Sequence, residues 1–168
     1  LWEYDLDSGK SSLLFAAESL GGGAVEGALS LEEELRRARL RELAEGLTDY
    51  TWAQDGETLL LPVRGDLFFW KEGGEIQRVT ETPSPEMDAR LSADGTRLFF
   101  VRNGQVFTMT APFKTGGEKA VTPNPETGTS YGVAEYIAQE EFGRMTGYWL
   151  SPSGEQLVFT HVDERHVT

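Results

Sequence analysis

One pattern of apolar and polar positions occurs three times along the chain. Each copy enters with an aromatic or apolar residue, makes a polar turn that ends in glycine, and leaves in a run of alternating or continuous apolar residues. The three copies are YTWAQDGETLLLPV (50–63), ARLSADGTRLFFVR (89–102) and GYWLSPSGEQLVFT (147–160). Because glycine tolerates a positive φ without a Cβ clash, each copy predicts a β-hairpin.

The residues after the first and second turns extend each unit to four short strands that end in a Val-Thr edge strand. The opening WEYDLDSGKSSLLF matches the later half of such a unit. Four-stranded units of about forty residues are typical of β-propeller blades. The chain is therefore predicted to be all-β, a β-propeller fragment of about three four-stranded blades plus a partial one. The blade repeats are predicted near 50–85, 89–125 and 147–168. The alternative is a sandwich of short strands, although sandwiches rarely repeat in sequence.

A helix is predicted between blades over 30–46, in the sequence SLEEELRRARLRELAEG. Ser30 and Glu33 have the spacing of a capping box, acids fill the first turn, arginines fill the later ones, and Gly46 supplies the stop. Glutamates and arginines four residues apart can also pair with each other. The alternative is therefore a solvated surface helix without a binding role.

A second departure from the blade pattern lies between the last two repeats. Gly56 and Gly95 are 39 residues apart, whereas Gly95 and Gly154 are 59 apart, so this connection is longer. The excess predicts an excursion at 128–147 that contains QEEFGR, with the neighbouring carboxylates of Glu140 and Glu141. On a short helical turn such carboxylates can converge, and a cation between them offsets their repulsion. An ammonium group with three donors fits this role, and a solvated glutamate pair is the alternative.

Composition narrows the classes of partner. The 168 residues carry a net charge of -13 and no cysteine. The negative excess argues against nucleic acid, which needs a basic face, and no apolar run is long enough to span a membrane. No metal site or cofactor is predicted, since the histidines are not clustered and thiolates are absent. The motif Gly128-Thr129-Ser130-Tyr131-Gly132 matches G-x-S-x-G, but two prolines precede it where a nucleophile elbow needs a strand.

The segment GVAEYIAQEEFGRMTGYWLSPSGEQLVFTHVDE resembles part of the N-terminal propeller of the dipeptidyl peptidase IV family, serine peptidases of the prolyl oligopeptidase class. The resemblance implies that Glu140 and Glu141 bind the free α-amine of a peptide substrate. The helix EEELRRARLRELAEGLTDYTW is similar to an arginine-bearing helix of one family branch, which implies that Arg37 or Arg39, with Arg41 behind them, contacts a substrate carbonyl.

The resemblance implies a substrate-gating portion of an exopeptidase that releases dipeptides, typically after Pro or Ala. The family's catalytic serine, aspartate and histidine belong to an α/β-hydrolase domain that no part of this chain matches, so we expect the chain alone to be inactive. The chain begins in an already patterned segment, and we expect it to be a piece of a longer protein. A non-enzymatic propeller that binds proteins or peptides is the alternative. Homo-oligomerisation and localisation, cytoplasmic or periplasmic, are left open.

Overall fold

The computed structural model describes residues 1–16, 20, 47 and 49–167. The helix predicted over 30–46, with Arg37, Arg39 and Arg41, lies outside these residues and stays a prediction. In chain order the described elements are β1 (Trp2–Asp5), β2 (Lys10–Leu13), β3 (Thr51–Trp52), β4 (Thr58–Val63), β5 (Asp66–Lys71), β6 (Gln77–Arg78), β7 (Met87–Leu91), β8 (Arg97–Arg102), β9 (Gln105–Thr110), β10 (Lys119–Ala120), β11 (Thr129–Tyr131), α1 (Tyr136–Phe142), β12 (Tyr148–Leu150), β13 (Leu157–Phe159) and β14 (His161–Asp163).

Two four-stranded antiparallel sheets form the centre of the described chain. In the first, β3, β4, β5 and β6 pair in sequence order, and in the second β7, β8, β9 and β10 do the same. These sheets fall on the first two of the three predicted repeats, and the strand-rich, antiparallel architecture confirms the all-β fold class. The opening segment forms a hairpin of β1 and β2.

The repeat motif forms the first hairpin of each four-stranded sheet. Gly56 and Gly95 have φ values of +71° and +68° in the turns, as the pattern requires. The next connection in each sheet is a two-residue turn, Arg64-Gly65 in one and Asn103-Gly104 in the other, with positive φ at both residues. Such turns match the right-handed twist of the flanking strands, so the paired central strands stay in register over six residues.

The sheets stack face to face, which explains why their central strands are continuously apolar. Side chains of β4 and β5 alternate between two clusters, one with Phe15 and the other with side chains of β8 and β9. The far face of β8 and β9 packs in turn on Tyr148 of β12. The central strands are therefore buried on both faces, as in successive blades of a propeller. Burial on both faces explains why their sequences are continuously apolar.

Charged side chains are buried around the connection that leads from the first sheet to the second. Asp66 is fully buried and lies 2.6 Å from the guanidinium of Arg78. Glu86 accepts hydrogen bonds from the hydroxyls of Thr80 and Thr82 and from Arg102. Burial raises the pKa of Glu86, and these hydrogen bonds oppose the shift. The carboxylate is thus well bonded but still less favourable here than in water.

This balance predicts a pH-dependent contribution to stability. Because the pKa of Glu86 is raised above its ordinary value of 4.5, its stabilising contribution is complete below that value and is lost as pH rises through the folded-state pKa. We expect Glu86→Gln to remove this loss, so that the free energy of unfolding falls less steeply than in the wild type as pH rises above 4.5. Urea unfolding at a series of pH values measures it.

Asp94 provides a comparison of opposite sign. Hydrogen bonds from the hydroxyls of Ser92 and Thr96 and from the Thr96 backbone lower the pKa of Asp94. Its contribution is present above the ordinary pKa and is lost as pH falls through the lowered one. Asp94→Asn should therefore flatten the acid side of the same profile. If both variants give the wild-type profile, neither carboxyl governs it.

Candidate functional site

The last four strands form a two-stranded sheet in which one strand is interrupted by a loop. β11 pairs with β14, and β12 pairs with β13, and Thr160 connects β13 directly to β14. The amide of Gly132 donates to the Thr160 carbonyl at 2.9 Å, and the Thr160 amide donates to the Gly147 carbonyl at 2.8 Å. β11 and β12 are consequently two halves of one strand. We call residues 132–147 between them the insertion loop.

The two ends of the insertion loop meet at a narrow neck. Val133 and Thr146 form an isolated antiparallel bridge, and the Thr160 hydroxyl donates to the Val133 carbonyl at 2.7 Å. Gly132 and Gly147 lie against each other, since a Cβ added to Gly147 would stand 2.4 Å from the carbonyl carbon and oxygen of Gly132. Real Cβ atoms do not approach backbone so closely, so the neck requires glycine at 147.

The insertion loop carries helix α1, which is capped at both ends. The Glu135 carboxylate accepts from the amides of Ile137 at 2.6 Å and Ala138 at 2.7 Å, as an N-cap side chain does. At the other end Gly143 adopts a left-handed conformation with φ +61°, and its amide donates to the Ala138 carbonyl. Ala138 is buried and anchors the helix. The short helical turn expected within the excursion at 128–147 thus begins at Tyr136.

Glu140 and Glu141 occupy the last turn of α1, and both are exposed. Consecutive helical residues diverge by about 100°, less than the 180° of a strand, so the side chains leave on adjoining sides of the helix. α1 has no basic residue in its last turn. Carboxylates at the C-terminal end of a helix face the negative end of its dipole, so a cation bound beside them would be electrostatically favourable.

Contacts with the second sheet also hold the neck in place. Tyr148 is fully buried, and its hydroxyl donates to the Asp88 carbonyl and, at 3.2 Å, to the Phe99 carbonyl. Burial raises the pKa of Tyr148 well above its ordinary value, with the nearby Asp88 charge adding to the shift, so the hydroxyl keeps its proton. Arg90 donates to Asp88 at 2.9 Å and to the Thr146 hydroxyl at 2.5 Å. The loop is therefore held by the second sheet as well as by its own strand.

A cavity of about 390 Å³ lies between β7, β11 and the first half of α1. Met87, Asp88, Ser130, Glu135 and Gln139 contribute to its lining, whereas Glu140 and Glu141 do not. The carboxylate pair and the cavity are separate features of the insertion loop.

Ser130 lies in the middle of β11, opposite Val162, and α1 begins only at Tyr136. The strand-to-helix turn of a nucleophile elbow is therefore absent at Ser130. His161 stacks on Tyr131, with ring centroids 4.6 Å apart. Among the described residues no group of three His, Asp or Glu side chains is placed to hold a metal ion. Nor does any helix in the described part have the length and apolarity to cross a membrane.

Sequence reasoning named Glu140 and Glu141, and the structure places both on one helical turn. Arg37 and Arg39 lie outside the described residues, so their relation to the pair stays a prediction. The sequence reasoning missed the residues that hold the loop, namely Gly132, Gly147, Arg90 and the Glu135 cap. Gly132 and Gly147, both within the excess segment, were the available signal, because glycine often marks a close backbone approach.

Comparisons with known proteins point to one family. The sequence model for "Dipeptidyl peptidase IV (DPP IV) N-terminal region" matches residues 64–168. Dipeptidyl peptidase 8 of Homo sapiens is 29% identical over 145 residues, and dipeptidyl peptidase 8 of Mus musculus is 29% identical over 148 residues. Each match covers 77% of this chain but 16% of the relative, so the chain spans about a sixth of the length of these relatives.

Proposed function

The chain belongs to the dipeptidyl peptidase IV N-terminal region family, and from this we propose that it is the substrate-gating propeller portion of a serine-type dipeptidyl peptidase. Glu140 and Glu141 would bind the free N-terminal amine of a peptide, and an α/β-hydrolase domain of the same longer protein would cut the second peptide bond. One observation carries the proposal: both carboxylates lie on the last turn of a capped helix whose loop is held by two sheets.

The position of the pair supports binding of a cation. Two adjacent carboxylates repel each other, and the C-terminal end of α1 adds to the unfavourable potential. An ammonium group offsets both terms and has three donors to share between two carboxylates. The aromatic and aliphatic neighbours on α1, Tyr136, Ile137 and Phe142, are exposed and offer apolar surface beside the charge.

Fixed placement would turn amine binding into a measurement of length. An enzyme that removes two residues must locate the second peptide bond from the free N-terminus. Carboxylates held at a constant distance from a nucleophile do so, because only a bound ammonium presents that bond in an attacking geometry. Arg37 or Arg39 is proposed to hold a substrate carbonyl, which would fix the orientation of the first two residues as well.

The proposal predicts a requirement for a free N-terminus. We expect the longer protein to release a dipeptide from a peptide with proline at its second position and to leave the N-acetylated peptide intact. Mass spectrometry of the products measures both reactions side by side. Equal cleavage of the two peptides would contradict the proposal, and binding of the free peptide without any release would favour the propeller scaffold instead. The chain by itself should release nothing.

A further inference from the structure

We propose that Arg90 is a positioning residue for the carboxylate pair. It connects the neck of the insertion loop to a bulge in the preceding sheet, 56 residues away from Thr146 in sequence. The inference rests on the proposed function, because it gives Arg90 a role in binding the amine through Glu140 and Glu141. Arg90 itself need not touch the substrate.

The connection begins at an irregular point of β7. The pairing of β7 with β8 shifts register between Met87 and Arg90, and Asp88 within this bulge has a φ of +48°. That backbone region is costly for a residue with a Cβ and persists only where the surroundings hold it. Here the Tyr148 hydroxyl donates to the Asp88 carbonyl, and the Arg90 Nε donates to the Asp88 carboxylate at 2.9 Å.

The same guanidinium reaches the insertion loop. Its Nη2 donates to the Thr146 hydroxyl at 2.5 Å, and its central carbon lies 5.5 Å from the centroid of the Tyr148 ring. Arg144 donates to the Thr146 carbonyl at 2.6 Å, so Thr146 is held through its side chain and its backbone. Different N–H groups of the planar Arg90 guanidinium thereby bind Asp88 in the bulge and Thr146 in the neck.

Thr146 is well placed to transmit this restraint. It is the bridge partner of Val133 at the neck and follows Glu141 by five residues, with the Gly143 cap between them. A shift of the neck would carry the last turn of α1 with it, since the helix is capped at both ends and anchored by Ala138. Displacement of a positioned group by about 1 Å can cost up to about a hundredfold in rate.

The experiment compares Arg90→Met and Thr146→Val with a matched arginine in the longer protein. Arg97 also joins the second sheet to the last one, through its Nη1 and the Gly154 carbonyl at 3.2 Å, but it contacts a turn outside the insertion loop. Arg97→Met therefore measures a general loosening between sheets. The readouts are the melting temperature, KM and kcat for a glycyl-prolyl substrate, and the ratio of kcat/KM for free and N-acetylated forms.

We expect Arg90→Met to raise KM for the free substrate by roughly threefold to a hundredfold and to lower the free-to-acetylated ratio by the same factor. Thr146→Val, which keeps the shape and loses the hydroxyl, should shift both in the same direction. The double variant should change KM and the ratio no more than Arg90→Met does, because each substitution removes the same hydrogen bond between Arg90 and Thr146. Arg97→Met should leave the ratio unchanged even where it lowers the melting temperature.

Two results separate this inference from the proposed function. If Glu140→Gln and Glu141→Gln collapse the ratio while Arg90→Met and Thr146→Val behave like Arg97→Met, the positioning role is wrong and the proposed function stands. If the glutamine variants also leave the ratio unchanged, amine binding by the pair is wrong and the inference fails with it. Should Arg90→Met fail to fold, Thr146→Val decides the matter by the same ratio.

Discussion

Gly132→Ala is expected to lower the free energy of unfolding by about 1–3 kcal/mol more than Gly143→Ala, measured by urea unfolding of the chain. An added Cβ at Gly132 would stand 2.3 Å from Cγ2 of Val106 and 3.3 Å from Cγ2 of Val101. Val106 is fully buried and packs on Tyr148, so it cannot move aside without disturbing the core. Overpacking of this kind forces side chains off their rotamers or shifts the backbone.

Gly143 is a matched control because it shares the backbone term. Its φ of +61° resembles the +74° of Gly132, so alanine incurs a similar left-handed strain at both positions, about 1–2 kcal/mol. A Cβ at Gly143 would meet nothing within 4 Å, so the difference between the variants isolates the crowding at the neck. Equal destabilisation by the two substitutions would mean that the neck has room to relax. In that case the close approach of the sheets does not fix the insertion loop.

The blade architecture could be predicted because local sequence and packing agree. An Asp-Gly turn between an entering residue and an apolar run specifies a hairpin by itself, as at Gly56 and Gly95, where Asp55 and Asp94 accept backbone hydrogen bonds from the residues that follow. The runs TLLLPV and RLFFVR are apolar on both faces because a sheet packs on each side of them. Repetition of the motif 39 residues apart, at Gly56 and Gly95, then identified the two sheets as copies of one unit.

The site was only partly predictable because its supports are distant in sequence. Glu140 and Glu141 were found from local spacing and a family resemblance. Arg90 meets Thr146 only after the second and last sheets are stacked, and no local pattern marks either residue. The interruption of one strand by residues 132–147 is likewise a property of pairing with 157–163, which hydrophobic periodicity does not reveal.

The start of α1 could not be predicted from the sequence because its N-cap residue is Glu135. Ser, Thr, Asp and Asn are the preferred N-cap residues, so a glutamate at this position does not predict a helix start. Its carboxylate nevertheless accepts two amide hydrogen bonds, from Ile137 and Ala138, and α1 begins directly after it. The helix therefore owes its position to a long side chain that folds back on the backbone.

The largest functional effect is expected from the pair itself. In the longer protein proposed above, Glu140→Gln or Glu141→Gln keeps the size of the side chain and its capacity for hydrogen bonds but removes the charge that we propose attracts an ammonium group. A hydrogen bond to a charged group contributes about 1.5–3 kcal/mol, which corresponds to a loss of roughly tenfold to more than a hundredfold in kcat/KM. Steady-state kinetics with a free glycyl-prolyl substrate measures the loss.

Glu135→Gln is the matched variant within the same loop. The Glu135 carboxylate lies at the start of the helix, where it accepts hydrogen bonds from the backbone, and not at the last turn beside Glu140 and Glu141. Its substitution should therefore act through the stability of α1. Gln keeps one acceptor oxygen there, so we expect the loss of only part of the cap's contribution to stability, which is about 0.5–2 kcal/mol for a complete cap. A fall in kcat/KM for Glu140→Gln or Glu141→Gln without a matching fall in melting temperature separates substrate binding from folding.

The pH dependence tests the same contact from the side of the substrate. An α-amine loses its proton near pH 7.7–8.0, roughly, so kcat/KM of the wild type should decline as pH rises through that range. The decline belongs to the ammonium group and should weaken in Glu140→Gln and Glu141→Gln, which bind charged and neutral amines more equally. The variants should also lose the preference for free over N-acetylated substrate. If both cleave the two substrates with the wild-type ratio and the wild-type pH profile, the pair is a solvated feature of a propeller loop.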